Sequence, residues 1–230
     1  MTRGVLYVVW GDQAKSRLHS SIASLRQFHP DWPVHIQELG AEFEGHRGLL
    51  EKCRMNDFSP FDETLYLDVD TTVLAPLDYG FEQASRFGLA LAHCECPWAR
   101  RYRAIRQRAD TVEYNTGVLF WRRDKTQQVF DEWKRVTPLV DTAIEFIQEG
   151  KVLRAPYGDQ GSFCATVEAL GFNPFVLPLN WNFRPQFHTA FFGPLKIWHD
   201  YSEPPQAFLD LNKRYENPEV LIDYHRVTRG

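Results

Sequence analysis

The stretch TLYLDVDTTVLAPLD, Thr64 to Asp78, decides how the rest of the chain is read. It sets an apolar run against two carboxylates, Asp68 and Asp70, one residue apart at its end. In an extended chain side chains alternate faces, so Asp68 and Asp70 point the same way and Val69 points to the other side. Their carboxylates then stand roughly 6 Å apart, where like charges repel by about 3 kcal/mol at an effective dielectric near 20. Water, a shared proton or a bound divalent cation can offset that repulsion. Asp-x-Asp alone does not choose among them, because most such pairs are solvated loop residues.

The flanking sequence places the pair. VLYVVW (Val5 to Trp10) is a continuous apolar run, the pattern of a strand covered on both faces. Leu18, Ile22 and Leu25 follow at helical spacing, and His29-Pro30 closes that helix. PVHIQEL (Pro33 to Leu39) predicts a second strand, and a polar loop with Gly45 and Gly48 leads into a short helical segment around Leu49 to Met55. TLYL is the third strand, with Asp68 and Asp70 where it ends. FGLALAH (Phe87 to His93), TGVLFW (Thr116 to Trp121), NPFVLP and PLKIWH read as further strands. TQQVFDEWKRV, TAIEFIQEG and PPQAFLDLNKRY read as helices, and GDQGSFCATVEALG as a helix from a capped start to Gly171. Alternating strands and helices predict an α/β fold with right-handed crossovers, and such sheets bind ligands at the carboxyl ends of their strands. The aspartates stand at such an end.

Composition bounds the possibilities. The 230 residues, 43% of them hydrophobic and 14% aromatic, suffice for one large globular domain, and no repeat or Gly/Ser linker divides 1–230. A formal charge of -4 lacks the positive field that a nucleic-acid partner requires. No segment reaches membrane length, so at most peripheral membrane contact is expected. Cys53, Cys94, Cys96 and Cys164 are too few for a disulfide framework, which predicts reduced thiols and a cytoplasmic location. Cys94 and Cys96 beside His93 offer metal ligands, but no second pair follows at zinc spacing. ARRYRAIRQR (Ala99 to Arg108) holds five arginines; it reads either as a solvated helix face or as a patch for a phosphate-bearing acceptor.

Hard cations such as Mg²⁺ or Mn²⁺ take oxygen ligands and are commonly shared between carboxylates and a substrate diphosphate. With that chemistry in view, an ordered series of segments carries a resemblance: VVWGD, Lys52 in LLEKCRM, YLDVDTTVLAPLD, YNTGVLFWRR, GDQGSF, LPLNWNFRP and KIWHD. Together they resemble the GT-A-fold glycosyltransferases, closest to the retaining family 8 type that includes glycogenin and the bacterial galactosyltransferases of lipooligosaccharide synthesis. The resemblance runs from Val5 to about Asp200.

It implies an α/β GT-A fold with a mostly parallel central sheet flanked by helices. It also implies a nucleotide diphosphate sugar donor, UDP-linked, a divalent metal, and a glycan, glycolipid or protein acceptor. Asp68 and Asp70 would grip the metal and the donor ribose or diphosphate, with His199 as third ligand. Trp10, Gly11 and Asp12 would meet the base or ribose, unless WGDQ is a plain strand-to-helix turn. Lys52 would lie near the donor sugar and phosphates, although a helical Lys is ordinarily a solvated charge. Asn115, Thr116 and Gly117 would approach the transferring sugar, or else form a turn. Asp159 and Gln160 would contact the sugar near its anomeric carbon; the plainer reading of Asp159 is a helix cap. Trp181 and Asn182 would shape the acceptor side, if Trp181 is not simply core.

One departure stands out. The family usually continues after its late His with a Gly and then Lys-Pro-Trp, whose Gly and Lys hold the diphosphate; this chain reads HDYSEPP, with Glu203 in that region. Arg184, Lys196 and Arg226 are the candidate replacement cations. Two other classes compete: a haloacid-dehalogenase-like phosphatase using Asp68 of DVDTT as nucleophile, and a non-catalytic sugar-nucleotide-binding module. The phosphatase motif normally ends the first strand of its domain, whereas two strand-helix units precede Asp68 here.

Overall fold

A computed structural model of the chain describes residues 1–43, 47–94, 112–140, 144–148, 150–155, 158–188, 190–215 and 224–226. Strand β1 (Arg3–Val9) opens it, followed by α1 (Gly11–Phe28), β2 (Val34–Glu38) and two short helical turns, α2 (Arg47–Leu50) and α3 (Met55–Phe58). Then come β3 (Glu63–Leu67), β4 (Thr71–Val73), α4 (Asp78–Phe87), β5 (Leu89–His93), β6 (Tyr114–Arg122) and α5 (Arg123–Val136). The last elements are β7 (Ile144–Gln148), β8 (Lys151–Ala155), α6 (Asp159–Leu170), β9 (Phe175–Leu177), β10 (Ala190–Phe192), β11 (Ile197–His199), α7 (Gln206–Arg214) and β12 (Tyr224–Arg226). Among the described residues no helix is long and apolar enough to cross a membrane.

Six strands form the central sheet in the order β2-β1-β3-β6-β5-β9. β1 runs parallel to β2 and β3, and β5 parallel to β9, whereas β6 is antiparallel to both β3 and β5. The sheet is therefore mostly parallel, with β6 running against the rest. That reversal matters for the site. It brings the amino end of β6 to the carboxyl end of β3, where the Asp68 N–H donates to the Gly117 carbonyl at 2.8 Å.

Alternation along the strands fills both faces. Val5, Tyr7, Val9, Leu65, Leu67, Val118 and Phe120 share one buried cluster with Leu25 of α1 and Phe81 and Ala84 of α4. Leu6, Val8, Tyr66, Leu119 and Trp121 share the other with Phe130 and Trp133 of α5 and Phe163 of α6. Burial on both faces explains why these strands read as continuous apolar runs. At roughly 1.5–3 kcal/mol per fully buried large side chain, this two-sided core fixes the strand ends that carry the polar residues.

One segment departs from the sequence reading. TAIEFIQEG, expected to be helical, supplies β7, which pairs antiparallel with β8 so that Gln148 faces Lys151. Gly150, with φ at +74°, takes a conformation that L side chains rarely adopt and allows the tight reversal. Cys53, Cys94 and Cys164 are buried. Cys96 and the cluster Ala99 to Arg108 lie outside the described residues.

His29, at the end of α1, links that helix to α4. Its Nε2 accepts the Leu77 N–H at 2.9 Å, and its ring stacks on Trp32 at 3.5 Å. Burial pushes its pKa below the ordinary 6.5, against the opposing charge of Asp78. Unfolded His29 takes up a proton below pH 6.5 that the folded residue refuses, so this contribution to stability is complete above pH 6.5 and declines as pH falls through that value. Urea unfolding of His29→Gln between pH 6.5 and about pH 5 is expected to show a shallower loss of stability than the parent.

Candidate functional site

Strand β3 stops at Leu67, and Asp68 and Asp70 stand in the turn before β4. The Thr71 N–H and hydroxyl close that turn on the Asp68 carbonyl at 3.2 and 2.7 Å. The aspartates thus converge through a turn rather than through strand alternation. β4 pairs antiparallel with β11, so Thr71 lies opposite His199, and the Asp200 N–H donates to the Asp70 carbonyl at 3.0 Å. His199 Nε2 comes to 3.3 Å from Asp70 Oδ1 and 3.7 Å from Asp68 Oδ2. One ligand atom from each of these three residues lies within 4.8 Å of the others, which makes them the group that could hold a metal ion among the described residues.

Lys52, on a helical turn between α2 and α3, is 1% exposed. Its Nζ donates to Asp68 Oδ1 and Oδ2 at 3.0 and 3.2 Å and lies 2.9 Å from Asp159 Oδ2. Burial works against its charge, but Asp159 and Asp68 outweigh burial and raise its pKa. Tyr66, two residues before Asp68 on the same face, donates its hydroxyl to Asp68 Oδ1 at 2.5 Å. Burial and the neighbouring Asp68 charge keep that phenol protonated. Asp159 is no helix cap: the residue before α6 is Gly158, no side chain caps the helix, and Oδ2 of Asp159 accepts from Thr116 Oγ1. Burial opposes ionisation of Asp70, yet the charge of His199, a hydrogen bond from it and the charge of Lys52 together hold its carboxyl below the ordinary range. Lys52 thus pairs with Asp68 and Asp159, and His199 with Asp70, and the carboxylate oxygens gathered here are the ligand type that a hard divalent cation takes.

A chain of amides backs this group. The Gly117 N–H donates to Asn115 Oδ1 at 2.9 Å, and Asn182 Nδ2 donates to the same oxygen at 2.8 Å. Asn182 Oδ1 lies 2.7 Å from His199 Nδ1. On the other side Asn115 Nδ2 donates to Gln160 Oε1 at 2.9 Å, and Gln160 Nε2 to Glu113 Oε1 at 3.2 Å. Gly117 is required for space: a Cβ there would sit 2.3 Å from His199 Cε1 and 2.6 Å from Asp68 Oδ2. Two carboxylates and an imidazole whose ligand atoms all lie within 4.8 Å of one another fit a divalent ion. Gly117→Ala is expected to push His199 and Asp68 apart and weaken Mn²⁺ binding at least about tenfold, read by calorimetry.

Lys52, Asp68, Asp70, Asn115, Thr116, Gly117, Asp159, Gln160 and His199 all line one cavity of about 230 Å³. Leu49, Gln186, Asp200 and Tyr201 also line it, and sequence reasoning missed them. Tyr201 and Asp200 directly follow His199, the one signal that could have found them. Among the candidate cations Arg184 lines the cavity, whereas Lys196 points away and donates to the Pro76 carbonyl at 3.0 Å. The Arg226 side chain lies outside what is described. Glu203 pairs with Arg17 at 3.7 Å on the surface. Trp10, Gly11 and Asp12 follow β1 on the same sheet edge but do not line this cavity; the Trp10 indole covers Gly48, where a Cβ would come within 2.3 Å of the ring. Asn182 is buried behind His199, and Trp181 belongs to the core beside Phe120.

No protein-family model and no curated protein matches the chain. Solved glycosyltransferase structures do. The galactosyltransferase LgtC, crystallised with donor and acceptor sugar analogs, matches over 94% of this chain and 98% of its own at TM-score 0.58 and 15% identity. Mouse xyloside xylosyltransferase 1 matches over 89% of this chain and 99% of its own, at 0.58 and 12%. The Streptococcus pneumoniae TIGR4 glycosyltransferase GlyE matches over 94% of this chain and 60% of its own, at 0.56 and 16%. At these identities the likeness establishes the fold, which is the GT-A fold.

Proposed function

We propose that the chain moves a hexosyl group from a nucleotide diphosphate sugar, UDP-linked, to an acceptor hydroxyl with retention. The observation that carries this reading is the convergence of Asp68, Asp70 and His199 beside Gly117, in one cavity with Asp159 and Gln160. Asp68, Asp70 and His199 are the residues that would hold Mn²⁺ or Mg²⁺. Such an ion, when bound, supplies Lewis-acid stabilisation of a diphosphate leaving group.

The chain's own residues do the rest. Lys52 holds Asp68 and Asp159 in place at the cavity wall. Asn115, Gln160 and the backbone at Thr116 and Gly117 face the sugar, while Trp10 to Asp12 receive the base or ribose at the neighbouring strand end. Orienting the acceptor hydroxyl against the anomeric carbon is the main contribution of the pocket. Because Oδ2 of Asp159 already accepts from Lys52 and Thr116, its role is better matched to a fixed charge than to a nucleophile, which favours attack on the face the leaving group vacates. Arg184 takes the place of the missing lysine as the diphosphate's protein cation. Arg184→Ala is accordingly expected to raise the donor KM about 10–100-fold, the loss of one charge-assisted contact of roughly 1.5–3 kcal/mol.

A screen of nucleotide sugars for Mn²⁺-dependent hydrolysis tests the proposal. Release of nucleoside diphosphate from one donor, abolished by chelator, is the expected result. Phosphate release from simple phosphomonoesters would instead favour the phosphatase reading, and binding without any turnover the non-catalytic one.

A further inference from the structure

We infer that Asn182 is a positioning residue that holds the His199 proton on Nδ1, and that the backbone N–H of Gly117 sets its orientation through Asn115. A backbone N–H only donates, so the Asn115 atom it meets at 2.9 Å is the carbonyl oxygen. That same oxygen lies 2.8 Å from Asn182, so Asn182 presents its NH₂ there and turns its own oxygen to His199 Nδ1, 2.7 Å away. A carbonyl oxygen only accepts. Nδ1 therefore carries a proton; the Nε2–H of the charged ring donates to Asp70, and it is the Nε2 proton, not the one on Nδ1, that the ring gives up when it becomes neutral or takes a cation.

Inverting either amide would set two donors or two acceptors face to face. Asn115 and Asn182 are 3% and 2% exposed, so water does not compensate for such a mismatch. The polarity continues from Asn115 through Gln160 to Glu113, so the residue proposed to face the sugar and the residue proposed to face the metal belong to one ordered chain. The inference rests on the reading of this group as a metal site and deepens it: an imidazole offers a cation only a nitrogen that carries no proton.

The test is a long-range ¹H–¹⁵N correlation spectrum of the metal-free protein, recorded where the ring is neutral, with the His199 signals identified by their loss in His199→Gln. The Nδ1–H pattern is expected in the parent. In Asn182→Leu the Nε2–H form should appear and Mn²⁺ affinity should fall about 10–100-fold. Asn182→Asp, which keeps an acceptor toward His199, should retain the Nδ1–H form. Asn115→Leu, which removes no group bonded to His199, should also let the Nε2–H form appear, because Asn182 is then free to turn over. An Nε2–H ring in the parent, or an unchanged ring and Mn²⁺ affinity in Asn182→Leu, overturns the inference; if that variant does not fold, the parent spectrum and Asn182→Asp decide. Neither readout needs sugar transfer. The expected spectra without turnover of any nucleotide sugar would uphold the amide chain and sink the transferase reading, and turnover with an Nε2–H ring would do the reverse.

Discussion

Asp70→Ala should lower kcat/KM for Mn²⁺-dependent nucleotide-sugar turnover by at least about a thousandfold while leaving the melting temperature close to that of the parent. The Asp70 side chain meets His199, and its backbone carbonyl, which holds Asp200, survives the substitution. Lys52 keeps both of its carboxylates, so its buried charge is not stranded. Asp68→Ala should be as inactive but less stable, because it takes a carboxylate from Lys52 and the acceptor from the Tyr66 hydroxyl. Initial rates paired with circular-dichroism melts separate the two. Full activity in either variant, or in chelator, would remove these aspartates from the mechanism.

Lys52→Met should cause the largest loss of stability of any single substitution in the site. A methionine replaces the buried lysine stem but leaves Asp68 and Asp159 without their shared counter-charge. Breaking a buried pair from one side costs about 3–5 kcal/mol, which for a domain of this size lowers the melting temperature by roughly 6–20 °C. Turnover should fall as well, since the two carboxylates then repel across the cavity wall. Asp159→Asn added to Lys52→Met should restore part of the lost stability, because the second change removes one of the stranded charges. Wild-type melting of Lys52→Met would show that the buried ammonium does not hold the site together.

Much of this arrangement is legible in the sequence, and the parts that are not share a cause. β1 and β3 read clearly because Val5 to Val9 and Thr64 to Leu67 are buried on both faces. The segment TAIEFIQEG misleads because Ile144 and Ile147 also fit helical spacing, while the reversal is set by Gly150. Helix α4 passed unnoticed, although Leu77, Phe81 and Ala84 carry its apolar spacing and Gly88, with φ at +88°, ends it. β4 and β11 hold three residues each, too few to show a period, yet their pairing is what carries His199 to Asp70. Lys52 looks like any helical lysine until the fold buries it between two carboxylates. Arg184 and Lys196 are equivalent as letters, and only the path of the chain between them sends one into the cavity and the other to Pro76. Asn115 meets Gln160 and Asn182 across 45 and 67 positions, a separation at which no spacing rule operates.

On the proposed function, Asp68, Asp70 and His199 bind a divalent ion together with the donor diphosphate. Calorimetric titration of Mn²⁺ into the protein, alone and with UDP present, tests it most directly. One ion per chain is expected, bound more tightly when UDP is present, with both effects lost in Asp70→Ala. UDP binding that is as strong in chelator as in Mn²⁺, and unaltered by Asp70→Ala, would contradict it.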